Sequence, residues 1–191
     1  MSFAPDSALI VVDMQNDFAH PDGSLYVEGA DAVIAAVNAQ IVRALAGGST
    51  VVYTRDWHPE TTPHFAKDGG IWPVHCVAGT WGAGLHDRLL VAGPEIRKGT
   101  NGEDGYSGFS MRDPVSGTET ATGLLEALGD ARSVVVTGLA LDYCVKETAL
   151  DGRRHDLEVV LPMSATAAVN LSEGDDEAAV QALRAAGVTI G

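Results

Sequence analysis

Residues 55–65, RDWHPETTPHF, place Asp56 and two imidazoles within nine positions, beside a tryptophan and two prolines. Asp56 and His58 stand at i and i+2, a spacing that points both side chains to one face of an extended chain. His64 follows in the same loop, and a second run, WPVHCV at 72–77, adds His75 beside Cys76. Carboxylate oxygens and imidazole nitrogens are the donors a divalent transition metal takes. Asp56, His58, His64 and His75 are therefore a candidate metal set. The alternative is a polar loop in which some of the chain's six histidines fall together by chance; His20 and His86 fit no cluster. Cys76, a further thiolate donor, leaves the composition of the set open.

A second group of reactive types is spread along the chain. Cys144 falls at the start of a helical segment, where free N–H groups and the helix dipole favour a thiolate and can hold an oxyanion. Its alternative role is a small buried hydrophobe. Asp13, in VVDMQNDF, ends an apolar run. There it either braces the next loop or, partly desolvated, has a raised pKa suited to moving a proton. Lys98, in IRKGT, is either a solvated surface lysine or the charge partner of those two groups.

The elements that would position these residues alternate between short β-branched runs and helical segments. Strands are expected at 8–13, 50–56, 94–99, 132–138, within 157–166 and at 188–190. Helices are expected at 30–48, closing at Gly47-Gly48, then briefly at 85–90, and at 116–130, 142–156 and 172–187. A long loop rich in Pro, Gly, Trp and His reaches to about residue 82. Such alternation implies right-handed βαβ units: an α/β fold with three α/β/α layers and a mostly parallel open sheet of about six strands. No linker or internal repeat divides residues 1–191, so one domain is expected. Ligands of open parallel sheets bind beyond the carboxyl ends of the strands. Asp13, Asp56, Lys98 and Cys144 all lie at or just past such ends, on one rim.

Composition narrows the function classes. Twelve basic against 26 acidic residues give a net charge of −14, which opposes binding to nucleic acid or to an anionic membrane surface. No apolar run reaches the roughly 18 residues of a membrane span. The opening MSFAPDSALIVVD lacks a basic leader region, so a cytoplasmic protein with two free thiols is expected. Its partner is then a small molecule. The oligomeric state stays open, a homo-oligomer included.

Taken together, IVVDMQNDF (10–18), RDWHP…HF, WPVHC, KGTNGEDGYSGF (98–109) and VTGLALDYCVKETALD (136–151) resemble the nicotinamidase/pyrazinamidase branch of the isochorismatase-like cysteine hydrolases. The resemblance implies that fold and a catalytic triad of Asp13, Lys98 and Cys144. It implies one divalent metal ion (Zn²⁺, Fe²⁺ or Mn²⁺) on Asp56, His58 and His75, with His64 a further ligand in some members. It also implies a pocket of Phe18, Trp72, Tyr106 and Leu139 around a flat ring. A non-proline cis peptide is implied between Leu139 and Ala140, with the amides of Ala140 and Cys144 as the oxyanion hole. The implied activity is hydrolysis of nicotinamide, and of pyrazinamide, through a thioester. Another amide or carbamoyl hydrolase of the same fold, or a non-catalytic binding module, is the alternative. The chain departs from some close relatives at Tyr143, where they carry histidine.

Overall fold

The computed structural model describes residues 3–191. Strand β1 (Ser7–Val12) is buried along its whole length, as a strand covered on both faces must be. It pairs in parallel with β2 (Thr50–Asp56) on one side and with β6 (Ser133–Leu139) on the other. The sheet continues outward through β3 (Glu95–Lys98) at one edge, and through β7 (Glu158–Leu161) and β9 (Thr189–Ile190) at the other. A two-residue strand, β8 (Thr166–Ala167), joins the carboxyl end of β6. All of these pairings are parallel, and the spatial order is β3-β2-β1-β6-β7-β9.

The two-residue period of the strands sorts their side chains into two cores. Leu9, Val11, Val51, Tyr53 and Val135 face α2 (Ala30–Ala46), which contributes Val33, Ile34, Val37 and Ile41 at helical spacing. Ile10, Val12, Val52, Val134 and Val136 face the opposite layer. That layer contains α3 (Leu124–Ala127), α4 (Lys146–Arg154) and α5 (Asp175–Ala185), which bring Leu124, Ala149, Ala179 and Leu183. The expected three-layer α/β/α architecture is therefore present. Among the described residues no helix is long and apolar enough to cross a membrane.

The chain runs from β1 outward to β2 and β3, then returns to the far side of β1 as β6. The direction of winding thus reverses between β1 and β6. A crevice opens at that point beyond the strands' carboxyl ends.

Two expected helices are largely absent. Residues 85–90 form turns, because Leu85 is drawn into a bridge with Gln15 and Leu89 is buried without a helical turn. Of residues 116–130 only α3 is α-helical. The preceding stretch pairs as a hairpin of β4 (Ser110–Arg112) and β5 (Glu119–Ala121). The expected helix 142–156 begins one residue earlier, with a π-helical turn at Leu141–Val145 that leads into α4. Besides α2, α3, α4 and α5, one short helix, α1 (Asn16–Ala19), follows β1 directly.

Gly138 fixes the meeting of β1 and β6. Its φ is +108°, and a Cβ there would collide with the carbonyl oxygen of its register partner Val12, just before Asp13. Gly138→Ala is expected to cost about 2 kcal/mol or more in urea unfolding. A loss below about 0.5 kcal/mol would mean that β6 shifts freely and does not set the position of Asp13.

Candidate active site and metal centre

Four strand ends deliver the reactive groups expected from the sequence to one buried cluster. The Lys98 ammonium, fully buried at the end of β3, donates to Asp13 Oδ2 at 2.7 Å and to the Gly105 carbonyl. It lies 3.5 Å from Cys144 Sγ. It also lies 2.9 Å from Asp56 Oδ1, an ion pair whose angle makes no hydrogen bond, so that oxygen still lacks a donor. Asp13, in the left-handed region at φ +48°, accepts a second hydrogen bond from the Thr54 hydroxyl at 2.7 Å. Donor atoms of Asp13, Asp56 and Cys144 all lie within 4.8 Å of one another.

Burial and charge compete at each of these groups. Burial lifts the Asp13 carboxyl above its ordinary value, and Lys98 only partly opposes it. Burial would lift Asp56 as well, but Lys98 and His58 together hold it well below the usual carboxylate range. The two acids differ because Asp56 has imidazoles beside it, whereas Asp13 has Asp56 as a like-charged neighbour. Burial would lower Lys98, yet Asp13 and Asp56 keep it firmly protonated. Burial also pushes the Cys144 thiol well above its ordinary value, against the pull of Lys98. The sequence reading expected a thiolate stabilised by the helix N-terminus. Burial opposes that stabilisation, and Asp13 stands beside the sulfur as a base.

On the other side of Asp56 stand three imidazoles. His58, His64 and His75 each offer a ring nitrogen, and these lie within 4.8 Å of one another. Asp56 Oδ2 is 3.7 Å from His58 Nε2 and 3.8 Å from His75 Nε2. His75 Nδ1 is engaged by the Pro73 carbonyl at 2.7 Å and His64 Nδ1 by Asp104 Oδ1 at 2.9 Å, which leaves Nε2 of each ring as the lone-pair donor. His58 is 1% exposed and neither of its ring nitrogens has a partner. An unsatisfied buried polar group costs roughly 1–3 kcal/mol. Unpaired nitrogens facing a carboxylate and two more imidazoles fit a divalent cation, and His64 belongs to the group. Gly99 lets the His58 ring in: at φ +70°, a Cβ there would stand 2.7 Å from its Cε1 and Nδ1.

Between the thiol and the imidazoles lies a cavity. Phe18, Trp72, Tyr106 and Leu139 all line it, with Ala140, Tyr143 and Cys144. The Trp72 indole donates to the Tyr106 hydroxyl at 2.9 Å, and Tyr143 meets Trp72 edge-on with centroids 4.8 Å apart. The Leu139–Ala140 peptide is cis. Leu25 and Val169, which the sequence reading did not single out, complete the walls. Both cysteines are free. Cys76 stays outside the cluster: its thiol is 4.0 Å from the Gly82 carbonyl, and its amide donates to Asp17 Oδ2 at 2.6 Å.

Other supporting residues were also missed. The Gln15 side-chain amide donates to the Asp56 carbonyl and accepts from the Asp56 amide, each at 2.8 Å, which fastens β2's end to the loop after β1. Thr54, Gly105 and Asp104 act likewise on Asp13, Lys98 and His64. A polar residue two positions after a strand-ending acid, as in VVDMQ, was the available signal for Gln15.

The chain is similar to several known proteins. The isochorismatase domain model matches residues 7–191. The chain is 37% identical to the nicotinamidase/pyrazinamidase of Mycobacterium tuberculosis, over 96% of this chain and 97% of that one. It is 35% identical to the nicotinamidase of Acinetobacter baylyi, over 98% and 93%. Among solved structures, an L. infantum protein crystallised with nicotinate superposes with a TM-score of 0.87 at 38% identity, covering 100% of this chain and 95% of that one. The pyrazinamidase of Pyrococcus horikoshii in complex with zinc gives 0.86 at 38% identity, covering 98% and 99%.

Burial lowers His75 to about 4, with Asp56 opposing. Below the ordinary value near 6.5, the unfolded chain therefore binds a proton that the folded protein refuses. This contribution to stability is intact above about pH 6.5 and declines as pH falls to about 4. At about 1.4 kcal/mol per tenfold change in proton affinity, it is worth on the order of 3 kcal/mol. In metal-free protein, the stability advantage of the parent over His75→Gln, from urea unfolding, should shrink between about pH 7 and about pH 4.5. An unchanged difference would mean that His75 is not buried neutral.

Proposed function

The chain belongs to the isochorismatase domain family, and from that premise we propose that it is a metal-dependent cysteine amidohydrolase converting nicotinamide to nicotinate and ammonia. Pyrazinamide is a second expected substrate. What supports this reading most is the pairing across one cavity: a thiol beside an ammonium and a carboxylate on one wall, and three imidazoles on the other. A flat ring with a carboxamide at one end and a basic nitrogen at the other matches both walls.

In the proposed reaction Asp13 takes the proton of Cys144, and the sulfur attacks the carboxamide carbon. The backbone amides of Ala140 and Cys144 hold the negative oxygen of the tetrahedral intermediate. Asp13 returns its proton to the leaving nitrogen, the C–N bond breaks, and ammonia departs from a thioester. Water then gives a proton to Asp13 and attacks the thioester carbon. The C–S bond breaks, the sulfur recovers the proton from Asp13, and the product acid ionises to nicotinate by losing its remaining proton to solvent. The raised proton affinity of Asp13 suits both halves of this shuttle. Lys98 keeps the negative charge tolerable wherever it sits, on Asp13 or on sulfur. Asp56, His58, His64 and His75 are the proposed holders of the divalent ion, which when bound supplies a Lewis-acidic point that a pyridine nitrogen can occupy. Zn²⁺, Fe²⁺ and Mn²⁺ all suit that donor set. Tyr143, Trp72 and Phe18 line the space that a flat ring would occupy.

Ammonia release from nicotinamide tests the roles directly. Cys144→Ala should lower it by about a thousandfold or more, and Asp13→Asn, which keeps the shape but cannot take the proton, by a similar factor. Cys76→Ala should retain most of the activity, with at most about 1–2 kcal/mol of stability lost from its buried site. A dead Cys76→Ala beside an active Cys144→Ala would reverse the assignment of the nucleophile.

A further inference from the structure

We propose that Asp104, carried by the loop next to the β4–β5 hairpin, is a positioning residue that orients His64 for the metal, an inference that rests on the metal reading above. Among the described residues it is the one carboxylate outside the donor set that touches an imidazole within it. His75 is turned by a backbone carbonyl and His58 by nothing, whereas His64 Nδ1 meets Asp104 Oδ1 at 2.9 Å. A carboxylate on the far nitrogen of a metal-binding imidazole fixes which nitrogen carries the hydrogen, locks the ring and strengthens the donor.

Asp104 is itself held in place. Its backbone exchanges a pair of hydrogen bonds with Arg112 of β4, Asp104 N to Arg112 O at 2.8 Å and the return bond at 2.9 Å. The loop before it is tied to the histidine's own segment, because the Thr62 hydroxyl donates to the Gly102 carbonyl at 3.1 Å and accepts from the His64 amide at 3.2 Å. The side chains differ in exposure, 6% for His64 and 33% for Asp104, so Asp104 forms the outer layer of the site. The hairpin thereby fixes the carboxylate, and the carboxylate fixes the ligand.

Zn²⁺ affinity, measured by competition with a fluorescent chelator on full-length protein, tests this. Asp104→Ala should weaken it by about 10- to 100-fold. Asp104→Asn, whose amide oxygen can still accept, should lose less. The neighbouring Glu103, which is hydrogen-bonded to Asn101, serves as a charge control, and Glu103→Gln should stay within about twofold of the parent. Melting temperatures of the metal-free variants should match the parent. In a His64→Ala background, Asp104→Ala should cost nothing further beyond about twofold, since its effect passes through that ring. Parent-like affinity in Asp104→Ala, an equal loss in Glu103→Gln, or a loss that persists without His64 would each overturn the assignment. A parent that binds no Zn²⁺, Fe²⁺ or Mn²⁺ would overturn the metal reading itself and this inference with it.

Discussion

One buried ammonium ties the two halves of the site together. Lys98 reaches Asp13 on one side and Asp56 on the other, with Cys144 within 3.5 Å. Two carboxylates this close, inside a protein, repel each other strongly unless a cation stands between them. A buried cation, in turn, is costly unless it is paired and hydrogen-bonded. Each group is thus the condition for the others. Removing one member of such a set typically costs about 3–5 kcal/mol, because it strands an uncompensated charge. The same geometry divides labour between the acids. Asp56, beside Lys98 and the imidazoles, is held ionised, whereas burial, with Asp56 as a like-charged neighbour, raises the proton affinity of Asp13.

The fold makes this cluster possible by ending four parallel strands at one level. Asp13 and Asp56 follow or close neighbouring strands, Lys98 closes the strand beyond, and Cys144 rides the turn after β6. The reversal of winding between β1 and β6 leaves the space above them open. Glycines admit the close approaches: Gly138 against Val12, and Gly99 under the His58 ring.

Much of this was legible in the sequence, and the reason is local. Buried parallel strands are continuous apolar runs, so SALIVV, TVVYTRD and SVVVTGL announce themselves, and Asp13 and Asp56, where the first two end, mark the rim. The DxH step and the histidine before Cys76 singled out Asp56, His58 and His75, and the fold gathers the His58, His64 and His75 rings. Long-range pairing was not legible. LHDRLL has apolar residues at helical spacing, but Leu85 is claimed by Gln15, far away in the chain. The segment before Leu124 reads as a continuation of the helix that Leu124, Leu125 and Leu128 form part of, yet Glu119–Ala121 pairs back with Ser110–Arg112. Gln15, Thr54 and Asp104 are ordinary polar residues until the fold sets them beside Asp56, Asp13 and His64. A helix N-terminus at Cys144 can be read from sequence, but the depth of burial that raises its thiol cannot.

If Lys98 joins a thiol-bearing half to a metal-bearing half, the two should act on opposite ends of one substrate ring. Benzamide has the outline and the carboxamide of nicotinamide but no ring nitrogen. The most direct measurement is kcat/KM for both amides, each with metal-loaded and with metal-free protein. Losing orientation of the reacting carbon toward Cys144 removes a proximity contribution that reaches several kcal/mol. Loaded protein should therefore favour nicotinamide by about a hundredfold or more, and stripping the metal should collapse this preference by slowing nicotinamide alone. Equal rates for the two amides in loaded protein would contradict it, and would leave the imidazole cluster a structural role only.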